Sequence, residues 1–533
     1  MIEVNNSSPL APQSTWLMRG TICVLAVALF APSIAFEFSG WDDNDVLARN
    51  PRLLDPTIEN LAFYWTHSQF DLYVPVTQTV WWMAALFARA TDEDGATILR
   101  PGVFHSLNVL LHALAGLGCF ELLRKLVKEP LMALAGAAIY VAHPLQVETV
   151  CWASATKDLL AGVFGIAALV VHTSDMPGRR RWWIATLLAL AAMLSKPSAV
   201  TLPAIAILLD TGLRGVPLRA ALLRCLPWII VAIPVMVVAK LVQQGYPGTD
   251  YGPAARGSVV LFSLGFYLVK LVWPMSLAFD YGHTPAAVVE RSSSLLHFAF
   301  LTAVSIVCAA TWKRYRPLSI GLGIFFVAML PVLGLLPFDF QIYSTVGDHY
   351  VYLGMLGAAL IAASLPRKCF IILVGICIAA IVLSSQQART WRSVESMARH
   401  NLTVNPGSWS SMNNLAPQLA KAGDISGAIS LAERARALKD VEITRKTHAD
   451  VLLARAEAEA ANGDPAAAIA TYHESLALNP RAGVAWTNLA ATLAEAGRLE
   501  EALAAYEKAA EIDSTDFTAR VGMRAVKDAM ENR

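Results

Sequence analysis

The sequence predicts an all-α protein: a polytopic membrane helix bundle of about 11 spans, followed by an α-solenoid. Composition is the first reason, because the 533 residues are 56% hydrophobic and 16% charged, with a mean hydropathy of +0.49. Soluble proteins carry about 25% charged residues. The second reason is that charged residues are sparse before residue 386 and return at ordinary density after it. The third is a 34-residue repeat in the C-terminal part.

Apolar segments that approach the roughly 20 residues needed to cross a bilayer recur through the first part of the chain. The candidate spans lie near 18–36, 103–123, 131–147, 157–173, 182–196, 198–212, 226–243, 294–311, 318–336, 349–365 and 369–385. A twelfth apolar stretch, 258–277, contains Lys270 and Pro274 and is ambiguous. These segments define a membrane domain over residues 1–390.

Lys and Arg residues in short loops predict the orientation of the bundle, because they are enriched on the cytoplasmic side. Five loops carry clusters of them: 124–128, 179–181, 214–224, 313–316 and 367–368. All five are cytoplasmic only if the segment 258–277 does not cross. We therefore interpret that segment as re-entrant or interfacial. The N-terminus is then cytoplasmic, and the C-terminal domain lies outside the cytoplasm.

Several functional classes are disfavoured by composition. The net charge is +1 and there is no basic tract, so nucleic acid is not an expected partner. The seven cysteines form no metal-spaced pair and are read as small apolar residues. The first apolar run is preceded only by Arg19 among basic residues, which favours a retained span over a cleaved signal peptide.

The C-terminal domain, residues 391–533, contains the repeat. Three pairs of like residues are each 34 positions apart: Gly463 and Gly497, Ala468 and Ala502, Tyr472 and Tyr506. This period is typical of the tetratricopeptide repeat, a pair of helices that stacks on its neighbours. We expect repeats near 409–442, 449–482 and 483–516, with a capping helix at 517–531. The first repeat should carry about six extra residues between its helices and the next repeat. Such stacks bind extended peptides on a concave surface.

Residues 37–102 form the longest polar interval of the membrane domain and follow the first span, so they should face outward. Asp42, Asp43 and Asp45 lie at its start. Segments 57–65 and 75–90 are expected to be amphipathic surface helices. By themselves the carboxylates are compatible with a solvated loop that caps a helix.

Further polar residues recur within the spans or at their predicted outer ends, where ionisable groups are costly and suggest function. His105, Asn108 and His112 share one helix face because they are spaced by three and four. The others are His143, Glu148, Lys157, Asp158, Lys196, Asp280, His283, Asp348 and His349. Any one of them could be structural, but their common side indicates a single site at the outer membrane surface.

An ordered set of short motifs resembles a known family. The stretches are His105-Ser-Leu-Asn108, Ala142-His-Pro-Leu-Gln-Val-Glu148, Lys157-Asp158, Ser195-Lys-Pro197 and Gly347-Asp-His-Tyr-Val-Tyr352. With the acidic outer loop and the repeats, they resemble the transmembrane-and-tetratricopeptide O-mannosyltransferases and their bacterial relatives. That family belongs to the GT-C class of multispan glycosyltransferases. The sequence departs from it at Val74, Thr156 and His349, where the family often has arginine.

The resemblance implies transfer of a mannose-like hexose from a polyprenyl-phosphate donor to protein Ser or Thr hydroxyls, with inversion. It implies that Asp42 is the catalytic base, supported by Asp43. We assign Lys157, Lys196 and His349 to the donor phosphate, with Glu148 and Asp158 holding these cations. His105, His143 and Asp348 complete the expected substrate-binding set. A carboxylate pair can bind a divalent cation, but no complete ligand set is evident, so metal use stays open.

Other interpretations remain at this point. The acceptor could be a lipid or an envelope glycan rather than a protein. The chain could instead be a membrane-anchored tetratricopeptide scaffold without enzymatic activity. A transporter is less favoured because no matching repeats of span groups are evident. Short loops favour a bacterial cytoplasmic membrane with the repeats in the periplasm; in a eukaryote the membrane would be that of the endoplasmic reticulum.

Overall fold

The computed structural model describes residues 12–243, 252–290 and 294–532. The chain divides into two compact units, Met1–Met397 and Ala398–Arg533. The predicted all-α class is confirmed, because helices dominate both units and the strands within the described residues form one small sheet. In that sheet β1 (Arg89–Thr91) pairs antiparallel with β2 (Thr97–Leu99).

The first unit contains seventeen α-helices among its described residues. They are α1 (Pro12–Phe30), α2 (Pro51–Leu54), α3 (Ile58–Thr66), α4 (Pro75–Ala88), α5 (Pro101–Leu126), α6 (Pro130–Ala142), α7 (Val147–Cys151), α8 (Thr156–His172), α9 (Gly178–Ser195), α10 (Leu202–Gly212), α11 (Leu218–Val242), α12 (Pro253–Val272), α13 (Pro285–Glu290), α14 (Ser294–Thr311), α15 (Arg316–Met329), α16 (Met355–Ala363) and α17 (Phe370–Thr390). Proline stands in the first turn of many of these helices, where its missing N–H costs no hydrogen bond.

Six helical segments in the described part of the chain are long and apolar enough to cross a membrane. They are Gln13–Ala35, Pro101–Leu126, Ala153–His172, Leu218–Val242, Ala255–Val272 and Arg367–Thr390. The pair Pro130–Ala142 and Pro144–Cys151, bent by 51°, would make a seventh. Several other expected spans are shorter helices, including Pro197–Gly212 and Arg316–Val332. The total of about 11 spans therefore stays a prediction.

The segment expected to be re-entrant or interfacial, 258–277, lies largely within one helix. Helix α12 runs without a break and ends at Val272, two residues before Pro274, as a helix commonly does ahead of proline. Its length and composition admit a crossing. The re-entrant or interfacial interpretation is not tested by these features. The orientation argument, which required the segment not to cross, stays a prediction.

Small residues allow close helix contacts in the bundle. A Cβ atom added at Gly357 of α16 would lie 2.0 Å from the carbonyl oxygen of Gly321 in α15. The two backbones therefore touch at this pair of glycines. Close approach of this kind supplies van der Waals packing between membrane helices, where the hydrophobic effect contributes little.

The polar interval after the first span folds into helices α3 and α4 and the small sheet. The indole N–H of Trp82 donates to the carbonyl of Thr57 at 2.9 Å, and the hydroxyl of Thr77 donates to the carbonyl of Ser195 at 2.9 Å. Tyr64, Trp81 and Phe104 form part of a buried cluster beneath them. The interval is therefore packed onto the bundle rather than solvated.

The second unit is a stack of helices that follows α18 (Val394–Val404). They are α19 (Trp409–Lys421), α20 (Ile425–Leu438), α21 (Glu442–Ala461), α22 (Pro465–Leu478), α23 (Gly483–Glu495), α24 (Leu499–Ile512) and α25 (Phe517–Glu531). The extra residues of the first repeat do not form a longer connection. They lengthen α21 to 20 residues, whereas α19 and α23 have 13 each.

The residues that recur every 34 positions explain why these helices pack as stacked pairs. Ala468, Ala502, Tyr472 and Tyr506 are all buried in one hydrophobic cluster, where helices cross closely. Between the helices of each pair, Gly423, Gly463 and Gly497 adopt φ angles of 89°, 78° and 74°. Glycine reaches this left-handed region without the steric cost of a Cβ atom, so it ends the first helix of each pair.

Candidate active site

Asp42 and Asp43 are neighbours with different surroundings. The Asp43 carboxylate is buried and accepts hydrogen bonds from the backbone N–H and hydroxyl of Ser39, each at 2.9 Å, and from the backbone N–H of Ser154 at 2.8 Å. The Asp42 side chain is 46% exposed, and its Oδ2 lies 3.9 Å from Nζ of Lys157. Asp43 therefore ties the outer loop to residue 154, while Asp42 is accessible to a ligand.

The pKa values of both carboxyl groups are raised above that of an ordinary aspartate. Burial raises the pKa of Asp43, and hydrogen bonds from Ser39 and Ser154 oppose the shift. Desolvation by the surrounding protein atoms also raises the pKa of Asp42, and the positive charge of Lys157 opposes this shift. A carboxylate with a raised pKa is a better proton acceptor near neutral pH. Exposure then distinguishes the pair, since a substrate can reach only Asp42.

Asn108 of α5 holds the segment that leads to Lys157. Its side-chain amide donates to the carbonyl of Trp152 at 2.8 Å, and its carbonyl oxygen accepts from the hydroxyl of Thr156 at 2.7 Å. Asn108 is fully buried, so these bonds satisfy groups that water cannot reach. The segment 152–156 is thereby fixed where Ser154 meets Asp43.

Lys196 owes its position to the proline after it. Proline disfavours helical geometry in the preceding residue, and Lys196 is extended, with φ −150° and ψ 121°. Helix α9 therefore ends at Ser195, and the lysine turns towards α8. There its ammonium group pairs with Oδ1 of Asp158; the two side chains are 14% and 4% exposed. A buried charge pair of this kind needs close contact to offset its desolvation cost.

The segment 347–352 completes the cluster. Glu148 accepts a hydrogen bond from Nδ1 of His349 at 2.6 Å and one from the backbone N–H of Asp348 at 3.1 Å. The hydroxyl of Tyr281 in turn donates to Asp348 at 2.8 Å. Glycine allows the approach, because a Cβ atom at Gly162 of α8 would lie 2.4 Å from the ring of Tyr352.

These groups are close enough to interact electrostatically. The charges of Lys157 and Lys196 interact electrostatically with the ring of His349. The hydroxyl of Tyr350 interacts in the same way with the carboxylates of Asp42 and Asp158. The ammonium group of Lys157 also lies 5.1 Å from the ring centroid of Trp152. The structure therefore brings together these residues of the predicted site: Asp42, Asp43, Glu148, Lys157, Asp158, Lys196, Asp348 and His349.

Two hollows lie on either side of the contact between Glu148 and His349. The first, here the lysine cavity, has a volume of about 20 Å³, room for one or two waters, and is lined by Asp158, Ala161, Lys196, Ser198, Ala199, Ala328, His349, Tyr350, Tyr352 and Leu353. The second, here the aromatic crevice, is a narrow surface cleft lined by Trp41, Glu148, Trp152, Phe279, Phe340, Trp391 and Met397. One hollow is therefore charged and the other aromatic.

Two residues of the predicted site, His143 and His105, contact backbone groups outside the two hollows. His143 uses both ring nitrogens: Nδ1 accepts from the backbone N–H of Leu145 at 3.2 Å, and Nε2 donates to the carbonyl of Leu271 at 3.1 Å. His105 contacts the carbonyl of Glu37 at 3.3 Å through Nε2. Both are buried and line neither hollow. These contacts give the two histidines a packing role and leave their substrate-binding role a prediction.

Within the described residues, no group of three or more His, Cys, Asp or Glu side chains is arranged to hold a metal ion. The carboxylate pair considered for a divalent cation is divided, because both oxygens of Asp43 accept protein hydrogen bonds. Metal use therefore stays an open expectation.

Sequence reasoning missed several contributors. Ser39 and Ser154, which bind Asp43, are ordinary serines in sequence. Trp41, Phe340 and Trp391 line the aromatic crevice from distant parts of the chain. Two tryptophans offered a signal, since Trp41 immediately precedes Asp42 and Trp152 stands five residues before Lys157. The contact of Ser39 with Asp43 is local, whereas that of Ser154 joins segments more than a hundred residues apart.

Comparison with known proteins first defines the second unit. Residues 483–516 and residues 449–492 match two families, each described as Tetratricopeptide repeat. Tetratricopeptide repeats are thereby confirmed within residues 449–516, and the repeat near 409–442 stays a prediction. The chain is an all-α protein that contains tetratricopeptide repeats. Among solved structures, the P58(IPK) TPR domain covers 67% of this chain and 96% of its own at 12% identity, with a TM-score of 0.20.

A curated relative then adds a particular resemblance. The chain is 29% identical over 242 residues to Protein O-mannosyl-transferase Tmtc2 of Drosophila melanogaster. The match covers 42% of this chain and 26% of the relative, so the chain spans about a quarter of that protein's length. The resemblance to the transmembrane-and-tetratricopeptide O-mannosyltransferases is supported, and with the apolar helices it indicates a membrane protein.

Proposed function

We propose that the chain is an integral membrane glycosyltransferase of the GT-C type. It transfers a mannose-like hexose from a polyprenyl-phosphate donor to Ser or Thr hydroxyls of exported proteins, with inversion. One observation carries the proposal most strongly: an accessible carboxylate, Asp42, lies 3.9 Å from the ammonium group of Lys157, which is in electrostatic range of Lys196. Acceptor activation and stabilisation of a phosphate leaving group require these two elements side by side.

Asp42 acts as the general base in this proposal. The acceptor hydroxyl loses its proton to the Asp42 carboxylate as its oxygen attacks the anomeric carbon of the donor. The bond from that carbon to the phosphate oxygen breaks on the opposite face, so the configuration inverts. Asp43 positions Asp42, because its three hydrogen bonds fix the loop to Ser39 and Ser154.

Lys157, Lys196 and His349 receive the departing phosphate. The leaving group is already an anion, so it needs positive charge and hydrogen-bond donors rather than a general acid. Lys196 is held by Asp158, and Nδ1 of His349 is held by Glu148. A cation and a hydrogen-bonding imidazole fixed before the reaction need no reorganisation as charge develops.

The membrane and the repeats supply the two substrates. A lipid-linked donor lies in the bilayer, which matches a site built at the ends of apolar helices. Tetratricopeptide repeats bind extended peptides, so they would raise the effective concentration of an acceptor protein. We place the site and the repeats on the non-cytoplasmic side, in the periplasm if the source is bacterial and in the endoplasmic reticulum lumen if it is eukaryotic.

The test compares three variants of the purified full chain: Asp42→Asn, Asp43→Asn and Asp45→Asn. Each is mixed with radiolabelled polyprenyl-phosphate mannose and an envelope protein extract, and label on protein is counted. Loss of a general base lowers rates by about 100-fold or more, so Asp42→Asn should be nearly inactive. Asp45 is exposed in the same loop and serves as the matched control.

Each outcome has a clear meaning. Transfer by the wild type and by Asp45→Asn, but not by Asp42→Asn, supports the enzyme and its base. Full transfer by Asp42→Asn refutes the mechanism. If the wild type consumes neither this donor nor a panel of other sugar lipids, the enzyme proposal fails and the scaffold interpretation replaces it. Label on lipid rather than protein changes the acceptor class.

A further inference from the structure

The short segment 347–352 carries the proposed phosphate ligand His349 and is fixed at its first residue. The hydroxyl of Tyr267 in α12 accepts a hydrogen bond from the backbone N–H of Gly347 at 3.1 Å and donates to the carbonyl of Gly347 at 3.3 Å. Tyr267 is fully buried, so water does not compete for these bonds. One side-chain hydroxyl therefore satisfies both backbone polar groups of the residue that begins the segment.

The last residue of the segment is fixed by two other helices. The hydroxyl of Tyr352 lies 3.0 Å from Nδ1 of His112 in α5, and Nε2 of His112 lies 3.1 Å from the carbonyl oxygen of Val141 in α6. A carbonyl oxygen only accepts, so Nε2 carries a proton. In a neutral imidazole Nδ1 then accepts from the Tyr352 hydroxyl. The buried ring of His112, which no step of the proposed reaction uses, thus connects α6 to the segment.

Two residues of the candidate site lie between these two anchors. Nδ1 of His349 donates to Glu148 at 2.6 Å, and the ring centroid of Tyr350 lies 5.2 Å from the ammonium group of Lys196. The intervening residues Asp348–Val351 form a single 3₁₀ turn. Such a short turn has few internal hydrogen bonds and does not hold its own position. The hydrogen bonds at the two ends of the segment therefore decide where its site residues lie.

We propose that Tyr267 and Tyr352 are positioning residues, which hold His349 where the departing phosphate meets it. Tyr352 does so through its hydrogen bond to His112. Both roles rest on the proposed glycosyl transfer, and neither tyrosine has to touch a substrate. A purely structural role predicts a loss of folded protein alone, whereas a positioning role predicts a loss of rate that depends on His349.

Replacing tyrosine by phenylalanine separates the hydrogen bond from the packing. The ring of Tyr352 lies against Gly162 of α8, where an added Cβ atom would be 2.4 Å from the ring. Phenylalanine keeps this ring and removes only the hydroxyl group. A misplacement of about 1 Å can lower a rate by about 100-fold, so a small shift of the segment is sufficient for a measurable effect.

The experiment is a double-mutant cycle on the purified full chain in the transfer assay. Tyr352→Phe and Tyr267→Phe are each measured in the wild type and in a His349→Ala background. Loss of one donor to a developing anion lowers a rate by about 100- to 1,000-fold, which radiolabel counting still detects. Tyr64→Phe is the matched control, because Tyr64 is buried in the separate cluster beneath the outer loop. Hydrogen exchange of the amides in 347–352 reports on the segment without turnover.

We expect Tyr352→Phe and Tyr267→Phe to lower kcat by about tenfold or more, with the KM for the donor within about twofold. In the His349→Ala background the same substitutions should change kcat by less than about twofold, because the side chain that they position is absent. Exchange in 347–352 should accelerate in both tyrosine variants. Tyr64→Phe should leave kcat and this exchange as in the wild type.

Other results overturn the inference. Equal losses of kcat in the wild type and in the His349→Ala background would mean that the hydroxyl groups only stabilise the fold. Unchanged kcat, or exchange in 347–352 as slow as in the wild type, would mean that these hydrogen bonds do not place the segment. In each case transfer by the wild type leaves the proposed function standing. If the wild type transfers sugar from no donor, the proposed function fails and this inference fails with it.

Discussion

The two units of the chain hold their charges in opposite ways. In the first unit, the pair Lys196–Asp158 is at most 14% exposed and joins two different helical segments of the bundle. In the second, a pair such as Arg498–Glu501 joins neighbours on one helix, and its side chains are 46% and 57% exposed. Exposed pairs contribute roughly 0–1 kcal/mol, whereas burying charges is costly.

The exposed and the buried charge pairs therefore have different roles in the two units. The repeat unit is stabilised by its alanine and tyrosine core, and its surface charges keep it solvated. The membrane unit keeps ionised groups in a place where hydrophobic side chains of similar size are often equally stable or better. We infer that the buried pairs serve substrate binding and catalysis. The predictions below test this contrast, beginning with the largest expected effect.

Removing Lys196 should have the largest effect. Lys196→Met leaves Asp158 buried without its partner, and breaking a buried pair costs about 3–5 kcal/mol. It also removes a proposed phosphate ligand, so transfer should be lost. Denaturant titration in detergent and the transfer assay measure the two effects separately.

The double variant Lys196→Met/Asp158→Leu is the control. It replaces both charges with apolar groups, so it should regain most of the lost stability while remaining inactive. A single variant as stable as the wild type would contradict the view that this pair is effectively desolvated.

Gly522→Ala should have the next largest effect on stability, and it tests the packing of the repeat unit. Alanine favours a helix over glycine by about 1 kcal/mol. A Cβ atom at this position would, however, lie 2.2 Å from the ring of Tyr506. Overpacking costs about 1–3 kcal/mol, so we expect net destabilisation. Hydrogen exchange of amides in α24 and α25 should accelerate.

Gly483→Ala is its matched control, because the nearest atom to an added Cβ would be Ile512 Cγ2 at an ordinary 3.6 Å. It should leave exchange unchanged or slower. Slower exchange in Gly522→Ala as well would show that Tyr506 moves aside without cost.

The pH dependence of transfer should reflect the Asp42 carboxyl. A base must be ionised, so the rate falls as pH drops through its pKa. Because the surrounding protein raises the pKa of Asp42, the acid limb should lie above the value of about 3.9 for an ordinary aspartate. The positive charge of Lys157 opposes this shift, so Lys157→Met should move the limb to still higher pH.

Rate profiles between pH 4 and 9 would locate the limb for the wild type and for Lys157→Met. Arg49→Met, an exposed cation of the same loop, is the control and should leave the limb in place. A limb that moves down in Lys157→Met, or not at all, would mean that Asp42 is not the titrating base.

Arg498→Ala should have the smallest effect. Its bonds to Glu501 are short, at 2.7 and 2.6 Å, but both side chains are solvated. We expect no measurable change in the unfolding free energy of the repeats, because solvent screens such a pair. A loss comparable to that of Lys196→Met would remove the contrast between the two units.

The sequence by itself determined the elements that depend on local periodicity. Apolar runs specify helices, and the 34-residue period specifies the stack, because both patterns act over one or two helices. It also indicated Asp42, Lys157 and Lys196, since ionisable residues beside apolar spans are conspicuous. It could not determine whether 258–277 crosses the membrane, because the loop charges favoured no crossing whereas α12 is long and apolar enough to cross.

Only the tertiary structure decided which polar residues meet. Asp42 and Asp43 are adjacent and chemically identical, yet burial by Ser39 and Ser154 separates their roles. His143 satisfies backbone groups, whereas His349 joins the charged cluster. The physical reason is that hydrogen bonding and burial depend on neighbours brought together by folding, which local pattern does not encode.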